Sequence, residues 1–183
     1  MRRGLWTGVG ALLLLTACSG GSGSGAKATT TSTTTSTTVA TTSTTSPDDA
    51  VKEAYLDYWT MADRLLAAPD PADPEPAKRA VDPLLSSLVE QLSTNAAQGH
   101  KTTVPEGHTS SHRVDNIVTS GDTATLTECF VDGRVEFGPN GEVVDGETVT
   151  KVGTATLILA AGSWKVSDIR FGDRSPGVSG CAA

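Results

Sequence analysis

Apolar residues in the first part of the folded region recur with the spacing of a helix. They lie three or four residues apart, at Val51, Tyr55, Trp59, Ala62 and Leu66, which places them on one helix face. The preceding Ser46-Pro47-Asp48-Asp49 offers a hydroxyl cap, a proline for the first position and two acids for the positive helix end. The pattern therefore predicts an amphipathic helix that begins at Pro47.

A second amphipathic segment follows an interruption rich in proline and aspartate at residues 69–76. Asp82 is its predicted cap, Pro83 its start and Gly99 the residue beyond its end. Its apolar face consists of Leu84, Leu85, Leu88, Val89 and Leu92. A Ca²⁺ site in the interruption is the alternative use of its acids, but prolines enforce extended chain where such a site needs turns.

After Gly99 the pattern changes from helical to alternating, which is typical of strands. Gly121-Asp122, the Gly-Pro-Asn-Gly sequence at 138–141 and Ala161-Gly162 supply hairpin turns. The predicted strands are residues 113–120, 123–131, 135–137, 148–160 and 163–171. Helices followed by strands predict an α+β domain, with the N-terminal helices packed on a curved antiparallel sheet of about five strands.

The first 46 residues do not have the pattern of a folded domain. Arg2 and Arg3 precede a short apolar run that ends at Leu15 and cannot span a bilayer, so residues 1–17 are predicted to be a secretory signal. Export by the general or the twin-arginine route stays open. Residues 18–46 are rich in Ser, Gly and Thr and predict a disordered linker, with or without O-linked sugar. The folded domain is then residues 47–183.

Leu15-Thr16-Ala17-Cys18 resembles the lipobox of bacterial lipoproteins. The resemblance implies that Cys18 is lipidated, with diacylglyceryl and palmitate chains, and becomes the new N-terminus. Two acyl chains suffice for stable anchoring in a bilayer. The implied location is the extracytoplasmic face of the cell membrane. The alternative is a chance cysteine at an ordinary cleavage site.

Charge and cysteine content narrow the choice of partners. The formal net charge is −7, and removing Arg2 and Arg3 lowers it to −9. Nucleic acid is excluded as a partner because Lys and Arg form no cluster.

Besides Cys18 the chain holds Cys129 and Cys181. In an exported chain such a pair most simply forms one disulfide, whereas a metal or redox pair lacks the CxxC spacing.

The order of elements, ending in the Gly162-Ser163-Trp164-Lys165-Val166 hairpin, resembles the nuclear transport factor 2-like cone fold. It is similar to small exported lipoproteins of Gram-positive bacteria that carry this fold with a cysteine pair. The resemblance covers residues 48–181. Because the family includes isomerases, dehydratases and cyclases as well as non-enzymatic binding domains, it implies a pocket rather than a reaction.

The residues expected to line this pocket are Trp59, Leu126, Glu128, Phe130, Trp164 and Asp168. Glu128 and Asp168 are the candidate proton-transferring acids of an enzyme. Their alternative role is a solvated carboxylate or an ion pair with Arg134 or Arg170. No partner base is recognisable for either acid, so no catalytic residue is assigned.

The histidines suggest a metal site only weakly. His108 and His112 would face one ion on a helix, with His100 as a third ligand for Zn²⁺, but the residues around them predict a solvated loop running into a strand. Ser111, His112 and Asp115 are too close in sequence for hydrolase-like catalysis. We therefore expect no metal and no cofactor.

The expected function is that of a membrane-anchored, non-enzymatic binding or accessory module. Its partner beyond the bilayer is a small apolar ligand or a protein of the cell envelope. The alternative is a small cone-fold enzyme of the isomerase or cyclase type that uses a pocket acid.

Overall fold

The structure, a computed structural model, describes residues 46–181. The predicted signal sequence, Cys18 and the linker up to residue 45 lie outside the described residues. Three helices come first, α1 (Pro47–Ala67), α2 (Glu75–Arg79) and α3 (Leu84–Gln98). The strands that follow are β1 (Lys101–Thr103), β2 (Ser111–Ser120), β3 (Thr123–Asp132), β4 (Val135–Phe137), β5 (Val143–Asp145), β6 (Val149–Ala160) and β7 (Ser163–Pro176), before a short 3₁₀ turn at Ser179–Cys181.

The helix ends form where the sequence signals lie. The Ser46 hydroxyl accepts a hydrogen bond from the Asp49 amide at 3.1 Å and so caps α1. Asp82 accepts a hydrogen bond from the Ser86 amide at 3.1 Å in the first turn of α3. Gly99 ends α3 with a φ of 71°, a left-handed conformation that glycine adopts without steric cost.

The strands form two antiparallel sheets, of order β2-β3-β6-β7 and β1-β4-β5. The chain passes from the larger sheet to the smaller one at Gly133, between β3 and β4. A Cβ at this glycine would lie 2.2 Å from the Thr109 carbonyl oxygen, so only glycine allows the loop before β2 to approach so closely. Breaks in the strand register after Val114, Lys151 and Thr156 are irregularities that bend a sheet.

The core lies between the helices and one face of the larger sheet. Alternate residues of β3, Ala124, Leu126 and Phe130, are fully buried there. They belong to a core that includes Tyr55, Leu65, Leu88, Leu92 and Leu157. Burying each leucine or phenylalanine side chain of this core contributes about 1.5–3 kcal/mol, so burial of the helix-covered face stabilises the sheet.

The C-terminal turn is attached to the sheet by the Cys129–Cys181 disulfide, with 5.6 Å between the Cα atoms. The Arg113 guanidinium donates a hydrogen bond to the Cys181 carbonyl oxygen from the neighbouring strand. The predicted α+β fold class and the predicted disulfide are both confirmed. The described region has seven strands rather than about five, and the two strands that the sequence did not predict are β1 and β5.

Between residues 46 and 181, we find no helix with the length and apolarity that crossing a membrane requires.

Candidate functional site

A buried polar network lies at the centre of the helix-covered sheet face. Glu128 of β3 is completely buried. The Tyr55 hydroxyl of α1 donates a hydrogen bond to its Oε1, and His112 Nδ1 of β2 lies 2.8 Å from its Oε2. His112 reaches Glu128 because it pairs with Phe130, two residues further along β3 on the same face. Each carboxylate oxygen of Glu128 thus has one side-chain partner.

Tyr55 stays protonated in this network. Burial and the neighbouring Glu128 carboxylate raise the pKa of the Tyr55 hydroxyl far above its ordinary range, since both disfavour a phenolate. The hydroxyl is therefore a permanent donor to Glu128.

Aromatic rings enclose the histidine of this network. The His112 ring stacks on Phe130 and Trp59, with centroid separations of 4.0 and 4.3 Å. Its Nε2 atom is buried and has no hydrogen-bond partner in the part of the chain that the structure describes. The imidazole is therefore fixed on one side by Glu128 and covered on the other by apolar rings.

A second polar cluster lies at the edge of the same rings. Arg134 Nε donates to Asp132 at 2.8 Å, and another guanidinium nitrogen donates to Asp63 of α1 at 3.2 Å. Lys151 of β6 donates to the other Asp132 oxygen at 2.8 Å. The Arg134 guanidinium also lies 4.9 and 5.4 Å from the ring centres of Phe130 and Trp59, within the range of a cation–π contact.

These contacts determine the charge state of Asp132. Burial alone would raise the pKa of its carboxyl, but hydrogen bonds and charge from Arg134 and Lys151 outweigh burial and lower the pKa to about 2. The same carboxylate and Asp63 raise the pKa of Arg134 despite the burial of its side chain. Asp132 and Arg134 are therefore both ionised at neutral pH.

An open cleft of about 230 Å³ lies beside these clusters, between α1, α3 and β7. Trp59 and Phe171 form aromatic walls, and Gln91 and Arg134 supply polar groups. The remaining lining residues are Tyr58, Ala62, Leu66, Leu84, Leu88 and Ile169. Burial raises the pKa of Tyr58 to about 12, so its hydroxyl is uncharged at neutral pH. The cleft presents mainly apolar surface.

The predicted pocket residues divide into two groups. Trp59 of α1 packs against Leu126, Glu128 and Phe130 of β3 as a group, but of these four only Trp59 lines the cleft. Trp164 instead lines a separate groove between α1, α2 and the β6–β7 turn. Asp168 forms an ion pair with Arg170 at 2.7 Å and does not line the cleft.

The structure also brings in residues that the sequence did not indicate, above all Tyr55 and His112 as partners of Glu128. The predicted solvated loop at His112 is wrong, because the residue lies in β2 and its side chain is only 9% exposed. Glu128 is neither solvated nor paired with Arg134 or Arg170. Its partners lie 16 and 73 residues away in sequence, and no local pattern predicts that register.

The histidines bind different carboxylates. His100 Nδ1 lies 2.7 Å from Glu136, whereas His112 bonds to Glu128. Among residues 46–181, no three His, Cys, Asp or Glu side chains form a group that could hold a metal ion.

No protein-family model and no curated protein sequence matches the chain. Solved structures do. The intermembrane space region of the chloroplast protein ARC6 is 14% identical, with a TM-score of 0.54 over 66% of this chain and 92% of that one. The Kfla4162 protein of Kribbella flavida is 14% identical, with a TM-score of 0.46 over 70% and 95%. A putative dehydratase of the nuclear transport factor 2-like family from Streptomyces avermitilis is 17% identical, with a TM-score of 0.36 over 73% and 99%. At these identities the likeness concerns the fold alone, and it is the ARC6 region that supports it.

Proposed function

We propose that the chain is an exported lipoprotein, anchored to the membrane through acylated Cys18, whose domain binds a small apolar ligand in the cleft between α1, α3 and β7. The lipobox-like sequence at residues 15–18 supports the anchor. The cleft itself supports the binding function. Ligand sites are typically concave, mainly apolar and supplied with a few polar groups that orient the ligand.

The cleft carries this proposal because its apolar walls remain open. Leu84 and Leu88 of α3 face Ile169 and Phe171 of β7 across a space of about 230 Å³ that no side chain fills. An apolar molecule in this space would remove surface from water on both walls, at about 25 cal/mol for each Å² buried. Gln91 and the Tyr58 hydroxyl are the neutral polar groups available to orient it.

The buried acid supports binding rather than catalysis. Tyr55, His112 and Glu128 line neither this cleft nor the polar cavity next to it, and Glu128 is completely buried. A general acid or base has to come within hydrogen-bond reach of its substrate. With its rings in place, this domain gives a ligand in the cleft no access to Glu128.

One observation favours the second candidate, a small enzyme of the isomerase or cyclase type. His112 is oriented by a carboxylate and has a free Nε2, an arrangement that general bases use. This activity requires Trp59 to move away from His112, so that substrate reaches the imidazole. Turnover that is lost in His112→Phe would establish it.

Ligand binding is tested by titrating the purified domain with the fluorescent apolar probe N-phenyl-1-naphthylamine. Leu88→Trp fills the cleft, and Val118→Trp adds the same ring at a position that is 59% exposed on β2. We expect wild type and Val118→Trp to bind alike and Leu88→Trp to bind at least about tenfold more weakly, a loss of about 1.4 kcal/mol. Equal binding by all three proteins, or none by wild type, contradicts the proposal. Thermal unfolding verifies that both variants fold.

Anchoring is tested by feeding radiolabelled palmitate to cells that express the full precursor. We expect label and membrane association in wild type and in the Ser19→Ala control, and neither in Cys18→Ser. If the wild-type protein is cleaved and released without label, Cys18 follows an ordinary cleavage site and the proposed anchor is wrong.

A further inference from the structure

The apolar cleft adjoins a second cavity of different character. This polar cavity has a volume of about 160 Å³ and shares Leu66, Gln91 and Arg134 with the cleft. Arg134 therefore lies at the boundary between the two spaces. Thr102, Asp132, Glu136 and Asp145 complete the lining of the polar cavity. We refer to the two adjoining cavities together as the elongated site, with an apolar half and an acidic half.

Strand register explains why carboxylates gather in the acidic half. Glu136 of β4 pairs with Thr102 of β1 on one side and with Asp145 of β5 on the other, so the three side chains form a row across the small sheet. Asp132, at the end of β3, and Arg134, in the connection to β4, line the same cavity as this row. The carboxylates of the cavity therefore come from both sheets.

The basic side chains near the acidic half already form ion pairs with other acids. Arg134 and Lys151 are balanced by Asp63 and Asp132, with which they form short ion pairs. Glu136 contacts only His100, at 2.7 Å, and Asp145 forms no ion pair within residues 46–181. The acidic half thus carries two carboxylates that no Lys or Arg of the described chain compensates.

These two carboxylates also oppose each other. Directly paired residues on neighbouring antiparallel strands have their Cβ atoms about 5 Å apart, and like charges at such positions destabilise a sheet. The Glu136–Asp145 pairing therefore places two acids opposite each other on neighbouring strands, with Asp145 exposed to water. A cation between the two side chains would reduce their repulsion. This pairing therefore favours a positively charged group here, in addition to the attraction from the net negative charge of the chain.

We propose that the elongated site binds an amphiphile with a positively charged amine head: its hydrocarbon part occupies the apolar cleft, and its ammonium group lies between Glu136 and Asp145. Thr102 and Gln91 supply hydroxyl and amide oxygens as further acceptors for the ammonium hydrogens. This inference rests on the proposed function, because it names the chemical class of the ligand that the cleft takes.

Two probes with the same alkyl chain distinguish binding of the ammonium head from binding of the hydrocarbon part. Decylamine and decanol are titrated below their aggregation concentrations into the purified domain, with displacement of N-phenyl-1-naphthylamine as the readout. We expect decylamine to bind about tenfold more tightly than decanol, because two carboxylates that no Lys or Arg neutralises attract the ammonium group. The preference should shrink as ionic strength rises.

Asp145→Asn removes one of the two charges and keeps the shape of the side chain. We expect it to weaken decylamine about fivefold, to leave decanol unchanged, and to raise the melting temperature of the free domain by about 1–3 °C, since the like-charge pair is gone. Asp173→Asn is the matched control, an exposed acid of β7 outside both cavities. It should change none of these quantities.

The outcomes separate this inference from the proposed function. If decylamine and decanol bind equally and Asp145→Asn changes neither, the amine head is wrong while the apolar cleft stands. If neither probe displaces N-phenyl-1-naphthylamine from wild type, or that probe itself does not bind, the cleft fails and the inference fails with it. Tighter decylamine binding that Asp173→Asn weakens as much as Asp145→Asn also overturns the inference, because net charge rather than this site then attracts the amine.

Discussion

Two polar clusters lie against the same aromatic rings, yet they differ in composition and in access. The Tyr55–Glu128–His112 network is buried behind Trp59 and Phe130 and lines neither cavity. Asp132 and Arg134 of the second cluster lie at the edge of these rings and line the polar cavity, and Arg134 also lines the apolar cleft. Two acids of β3 therefore differ in role: Glu128, inside the strand, belongs to the core, whereas Asp132, at the end of the strand, belongs to the wall of the polar cavity.

The difference is one of electrostatic environment. A buried carboxylate needs partners for both oxygens, because an unmatched polar group in the core costs about 1–3 kcal/mol. Glu128 obtains them from a tyrosine and a histidine. Asp132 keeps partial contact with water and obtains full cationic partners, which lower its pKa. We expect the first cluster to affect stability most and the second to couple stability to pH.

The largest effect is expected from Glu128→Ala. The change removes both hydrogen bonds and leaves the Tyr55 hydroxyl and His112 Nδ1 buried without partners. We expect the free energy of unfolding to fall by about 3–4 kcal/mol, measured by urea denaturation. Glu128→Gln, which keeps the shape and one acceptor, should cost about half as much. A loss below about 1 kcal/mol for the alanine variant would show that the network is unimportant for the core.

A smaller, pH-dependent effect is expected from Asp132→Asn. The folded state holds the pKa of Asp132 at about 2, against an ordinary value of 3.8. As the pH falls, the unfolded chain therefore takes up this proton first, so the stabilisation is complete above about pH 5 and is lost between about pH 4 and pH 2. We expect wild type to exceed the variant by about 1–2 kcal/mol at pH 7.

The measurement for Asp132 is urea denaturation of both proteins at a series of pH values. The gap between wild type and Asp132→Asn should close on the acid side of pH 4. A gap that stays constant down to pH 2 would mean that Asp132 contributes through packing rather than charge. Asp168→Asn is the control, since the Asp168–Arg170 pair is exposed on its arginine side and surface pairs contribute little.

The two long helices, α1 and α3, and the long strands were predictable because their signals are local, whereas α2 lies partly in the stretch predicted as an interruption. Ser46, Asp82 and Gly99 mark helix ends by chemistry that acts within one turn, and the long hairpins show both alternation and turn residues. The short strands β1 and β5 have no such pattern, and they form because β4 lies between them. The disulfide was predictable from cysteine count and expected export, without knowledge of the fold.

The candidate site was only partly predictable. Trp59 and Phe130 were indicated by apolar periodicity, and Glu128 stood out as an acid between apolar residues. Which residues it contacts depends on the pairing of β2 with β3 and on the docking of α1, which are properties of the folded chain. The same reasoning failed for Trp164 and Asp168. Trp164 lies in another groove, and Asp168 forms a surface ion pair with Arg170.

The central claim is that the cleft between α1, α3 and β7 binds an apolar ligand. The most direct measurement is a titration of the isotope-labelled domain with N-phenyl-1-naphthylamine, followed by amide and methyl NMR shifts. The account predicts saturable shifts concentrated at Leu84, Leu88, Ile169 and Phe171, with those of Val118 and Val152 unchanged. Shifts that are absent, or that concentrate at Trp164 or on the exposed valines, would contradict it.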